Sequence, residues 1–142
     1  MNSNNAAQVM PQSIARAALA ALVGTGGPFN GTTLHLYANN IVPSPQTPLS
    51  AMIEPTFTGY APVAAIAFGT PFNAPGGGAG VVAPSVDIAC SGGTPTDTIY
   101  GWYLTDSGDT TLKLIVPLGA PVPIANVGDS VLIQPEIDFS GN

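Results

Sequence analysis

Ionic side chains are scarce in this sequence. Asp, Glu, Lys and Arg make up 7% of its 142 residues, against about 25% in ordinary soluble domains. Arg16 and Lys113 are the only basic residues, and the net charge is −6. Phosphate recognition needs clustered cations, so direct nucleic-acid binding is excluded, and so is attraction to an anionic membrane. Cys90 is the only cysteine, which excludes an internal disulfide. With both cations distant in sequence it reads as a small buried apolar side chain rather than an activated thiol. His35 is the only histidine, which leaves no second imidazole for a typical zinc site. It reads as a solvated or partly packed strand residue. No run is long enough to span a membrane: Ile14–Val23 is too short and contains Arg16. Met1–Ser13 carries no side-chain cation, so the N-terminus reads as unprocessed.

Glycine (17) and proline (15) are abundant. Both punctuate strands and are poor inside helices. The expected fold is all-β: an antiparallel β-sandwich or jelly-roll-like barrel with one N-terminal α-helix. Residues 1–31 would form an arm and helix, and 32–142 a single β-sandwich domain.

The strongest local pattern is Thr98–Pro117, TIYGWYLTDSGDTTLKLIVP. Two β-rich runs, Ile99–Thr105 and Thr110–Val116, flank a polar insert and predict a hairpin. A three-residue loop Asp106-Ser107-Gly108, with Gly108 left-handed, would set Trp102 opposite Leu112 and Tyr100 opposite Leu114. Lys113 would then face away from Trp102. Side chains alternate across a strand, so a one-residue slip would reverse every face.

Met1–Met10 is polar and Asn-rich and reads as an extended arm. Pro11 can open a helix that runs to Val23, with Ile14, Ala17, Ala18, Ala21 and Leu22 at helical spacing and Gly24 as C-cap. Thr32–Ala38 reads as the first strand, with Leu34 and Leu36 on one face and Thr33, His35 and Tyr37 on the other. Prolines 43, 45 and 48 make 41–50 irregular. Glu54–Tyr60 is a short strand or turn. The apolar run Val63–Phe68 suits a strand buried on both faces, or a subunit contact. Thr70–Gly80, with Gly76-Gly77-Gly78, predicts a flexible loop. In Ser85–Cys90, Val86, Ile88 and Cys90 share a face opposite Asp87. Pro117–Pro123 is an extended connector. The last strand, Ser130–Phe139, sets Val131, Ile133, Ile137 and Phe139 against Ser130, Gln134, Glu136 and Asp138; Pro135 argues for an edge or a bulge.

No chemistry-bearing motif emerges. Asp106 and Asp109 are too few for a calcium loop and read as turn formers. Glu136 and Asp138 share a face, but nothing marks a sugar cleft around them. Ser91-Gly92-Gly93 lacks the nucleophile-elbow pattern. The 76–80 glycines have no following Lys-Ser/Thr or helix, as a phosphate loop requires. No catalytic residue, cofactor or metal site is assigned. A hydrolase built on His35, Cys90 or a carboxylate pair would need those residues brought together. The shortage of charge instead suggests that much of the exterior is hidden against copies or companions.

Four segments, LHLYANNIVPSP (34–45), EPTFTGYAPV (54–63), IYGWYLTDSGDTTL (99–112) and VGDSVLIQPEIDF (127–139), together resemble small virion structural proteins of tailed bacteriophages, of the capsid decoration or cement kind. The resemblance implies a non-enzymatic role on the capsid surface of a virion, after synthesis in the host cytoplasm. It implies partners in copies of the chain, with a trimer as one arrangement, and in the major capsid protein. The expected contact residues are Ile14, Leu19, Leu22, Val63, Ile66, Phe68 and Phe72. The alternative is a tail-fibre or receptor- or carbohydrate-binding module, with Tyr37, Tyr60 and Tyr103 as an exposed platform.

Overall fold

The computed structural model describes residues 10–139. The Asn-rich arm expected at Met1–Met10 lies, apart from Met10, outside the described residues. In chain order the elements are α1 (Gln12–Val23), β1 (Thr32–Tyr37), β2 (Val63–Ile66), β3 (Phe72–Asn73), β4 (Ala79–Val82), β5 (Val86–Ala89), β6 (Asp97–Thr105), β7 (Leu112–Ile124), β8 (Ser130–Ile133) and β9 (Glu136–Phe139). The fold is mostly antiparallel β with one N-terminal helix, of the β-sandwich class. It is not a closed barrel, because the main sheet ends in β2 on one side and β7 on the other.

The chain divides into two compact units. One comprises Gly31–Ile66 and Ser85–Ile133; the other combines the described parts of 1–30 and 134–142 with Ala67–Pro84. The helix expected within a separate 1–31 piece thus shares a unit with three short strands.

In the larger unit the sheet order is β2-β1-β6-β7. β1 is central and all six of its residues are buried. Its alternation therefore separates two packed faces rather than a packed one and a wet one. Leu34 and Leu36 pair with Leu104 and Trp102 across β6, whereas His35 and Tyr37 pair with Tyr103 and Gly101. On the second face Tyr37, Met52 and Tyr103 form a cluster with Ile41, Leu49, Tyr100, Leu112 and Ile115 against it. Each large apolar side chain so enclosed contributes about 1.5–3 kcal/mol.

The hairpin is present, but its register differs from the expected one. Trp102 pairs with Val116 and Leu104 with Leu114, and the loop spans 106–111. The shift is four residues, an even number, so Trp102 and Leu114 still share a face. The left-handed position is taken by Asp109 (φ 54), not Gly108. β7 continues through Pro117, Pro121 and Pro123 instead of ending in a connector. A proline lacks an N–H, and the outer edge of a terminal strand is where that loss is tolerated. β2 also differs from expectation. It is an edge strand with Ala64 and Ala65 exposed, and Ala65 (φ 57) sits at the bulge opposite Thr32 and Leu34. A second sheet pairs β5 with β8 and buries Ile88, Val131 and Ile133.

In the smaller unit β3, β4 and β9 form a three-stranded sheet. The glycine run makes the connection between two short strands. Gly76, Gly77 and Gly78 all have positive φ and turn β3 into β4, a path that side-chain-bearing residues would resist. The expected last strand is broken at the fully buried Pro135 into β8 and β9, which join different sheets. Its two-residue alternation nevertheless persists, with 131, 133, 135 and 137 all buried. Helix α1 starts after Pro11 and ends at Gly24, and it packs on β4 and β3. Its buried residues are Ala15 and Leu19. The expected stripe through Ile14, Ala17 and Ala21 is exposed. The helix is rotated by about one residue, near 100°.

Candidate functional site: a histidine between two carboxylates

A polar network surrounds His35, which was expected to be solvated or partly packed and is only 5% exposed. β1 sets its imidazole opposite Tyr103, and the two rings stack at 4.7 Å with an interplanar angle of 7°. Nδ1 lies 2.7 Å from Oε1 of Glu54. Nε2 lies 2.9 Å from Oδ1 of Asp109 and 3.1 Å from the Thr105 hydroxyl. Thr105 donates to the same Asp109 oxygen at 2.6 Å. On the other side, the Tyr60 hydroxyl donates to Glu54 Oε1 and accepts from the Leu36 backbone N–H at 3.2 Å. The network therefore joins three parts of the chain: β1, the 54–60 segment and the β6–β7 turn.

The turn places Asp109 through Asp106. Oδ1 of Asp106 accepts from the backbone N–H groups of Thr110 and Thr111, and Oδ2 accepts from the Thr110 hydroxyl. These bonds lower the Asp106 carboxyl to about 2, the Thr111 backbone bond being the largest cause. Asp109 is also lowered, first by the Thr105 hydroxyl and then by His35. Burial and the Glu54 carboxylate push the Tyr60 and Tyr103 phenols well up.

The arrangement binds loops together rather than presenting a reactive atom. Glu54 and Asp109 approach opposite ring nitrogens, so the three groups do not converge on one metal ion. Among the described residues no group of three or more His, Cys, Asp or Glu could hold a metal. Asp106, weighed earlier as a calcium ligand, turns both oxygens onto its own loop. Cys90 is buried, and its thiol donates to the Gly92 carbonyl.

The other expected residues lie apart from this network. Leu19 and Ile66 are buried within the chain and present no contact surface. Leu22, Val63 and Phe68 are half-buried, while Ile14 (56%) and Phe72 (37%) are exposed. Tyr37 and Tyr103 are buried, so they form no exposed platform with Tyr60. Glu136 and Asp138 line a groove of about 330 Å³ with Phe72 and the 76–77 glycines. Burial there raises the Glu136 carboxyl, with the Asp138 charge adding to it. Among the described residues no helix is long and apolar enough to cross a membrane.

The sequence carried one usable signal for the histidine network. His35 alternates with two leucines and directly precedes Leu36 and Tyr37, a sign that its face of β1 was also enclosed. Comparisons with protein-family models, curated proteins and solved structures returned no match.

Proposed function

We propose that this chain is a non-enzymatic structural subunit of a tailed-phage particle, a capsid decoration or cement protein that works by packing against copies of itself and against the major capsid protein. The observation that carries the reading is where the few charges go. Of eight acidic residues, Glu54, Asp97, Asp106, Asp109 and Asp129 all turn carboxylate oxygens onto donors within the chain. Arg16, Asp87, Asp109, Glu136 and Asp138 are the charged residues that stand exposed among the described residues, and small polar, glycine, proline and apolar groups make up the rest of the exterior. Val42, Ile53, Val127 and Leu132 are exposed by 93%, 60%, 58% and 68%. Apolar surface of this kind gains about 25 cal/mol per Å² when a neighbour covers it, before ordering costs are subtracted.

The test is light scattering coupled to size exclusion, followed by co-sedimentation with empty capsids. An oligomer that sediments with capsids supports the role. A monomer at high concentration with no capsid affinity overturns it. The carbohydrate-binding alternative loses its platform with the burial of Tyr37 and Tyr103.

A further inference from the structure

From the geometry around His35 we infer a proton-operated clasp: the doubly protonated imidazolium ties Glu54 and Asp109 at once, and loss of one proton releases the β6–β7 turn. The argument is a count of protons. An ionised carboxylate only accepts, and a neutral imidazole donates from one nitrogen only. The 2.7 Å and 2.9 Å contacts at the two ring nitrogens are both satisfied only when both nitrogens carry a proton.

Which contact fails first also follows. Glu54 and Asp109 each take a second hydroxyl, from Tyr60 and Thr105, but Glu54 is 39% exposed against 53% for Asp109. The retained proton therefore stays on Nδ1, facing Glu54. Nε2 then becomes an acceptor beside Thr105, whose hydroxyl has a single proton. Asp109 Oδ1 and Nε2 both need that proton, so one of them goes without. Asp109 is the more exposed and can turn to water, which frees the loop it belongs to.

The titratable groups around the ring are few. The 54–60 segment supplies Glu54 and Tyr60. β6 supplies the stacked Tyr103, and the turn supplies Asp109 with Asp106 close behind it. The two phenols are held protonated by burial, and both aspartates stay ionised well into acid. The imidazole is the group of this cluster whose proton count decides which contacts can form. The clasp is independent of the assembly role proposed above.

Nitrogen-15 spectra of the His35 ring test it, together with amide exchange of Thr110 and Thr111 expressed as protection factors. Over the pH range in which the protein stays folded, protection is expected to be about ten-fold or more lower where the ring spectra show the Nδ1–H tautomer than where they show the doubly protonated ring. Amides in the middle of β6 should not change. Asp109→Asn, acceptable at a positive φ, should fold and show a flat profile, as should His35→Gln. A ring that stays neutral throughout the range overturns the clasp. So does loop protection that follows the same pH profile in wild type and Asp109→Asn.

Discussion

The ring of Tyr37 occupies the space that a side chain on Gly101, its cross-strand partner, would fill. A β-carbon on Gly101 would collide with the Tyr37 ring and hydroxyl on one side and the Val116 carbonyl on the other. The glycine is therefore required by close approach. Gly101→Ala should force the ring off the sheet and cost about 1–3 kcal/mol. Trp102, the single tryptophan and buried beside it, reports the change in urea unfolding followed by fluorescence. An unchanged midpoint would show that the ring moves aside freely.

A second prediction concerns Tyr60. Its hydroxyl serves Glu54 as donor and the Leu36 N–H as acceptor. Removing it leaves a backbone N–H of the buried β1 without its partner. An orphaned buried donor costs about 1–3 kcal/mol. Tyr60→Phe should therefore lower stability by that amount in the same unfolding assay. It should also loosen Glu54, so that the His35–Glu54 contact exchanges faster in ring spectra.

Acid should unfold the β6–β7 turn through Asp106. Its folded carboxyl is lowered to about 2 by internal hydrogen bonds, from about 3.9 in an unfolded chain. A depressed carboxyl stabilises the fold fully above the unfolded value, and that contribution is lost as pH falls through the folded one. Asp109 and Asp129 are lowered too and act in the same direction. Tm should fall between about pH 4 and about pH 2, and Asp106→Asn should flatten part of that slope. Parallel Tm curves for the two proteins would show that the loop bonds contribute nothing net.

Which features were legible follows from the range over which their causes act. The helix ends, Pro11 and Gly24, are local, and α1 starts and stops where they indicate. The alternation in Ser130–Phe139 is local too, and survives even where Pro135 divides it. The hairpin register is not local. Asp106 draws Thr110 and Thr111 into the turn, so a loop that looked three residues long extends to Thr111. The His35 network was hidden for the same reason: Glu54 and Asp109 lie 19 and 74 residues away, and no spacing rule connects them. In α1 five of the twelve residues are alanine, so the apolar pattern left the phase of the helix undetermined.

That phase yields the last prediction, which separates folding from assembly on a single helix. Leu19 is fully buried where α1 packs on β4, whereas Ile14 is 56% exposed. Leu19→Ala removes core methyl groups and leaves a cavity, which should cost about 2–5 kcal/mol. Ile14→Ala removes apolar surface that already meets water, and should change stability by less than about 0.5 kcal/mol. If the exposed face docks on a neighbour, the order reverses for capsid co-sedimentation: Ile14→Ser should weaken binding while its circular-dichroism melting curve stays that of the wild type. Leu19→Ala, measured below its own melting temperature, should still bind. A binding loss that tracks the stability loss across the three variants would place the docking surface elsewhere, because the helix would then matter only through the fold.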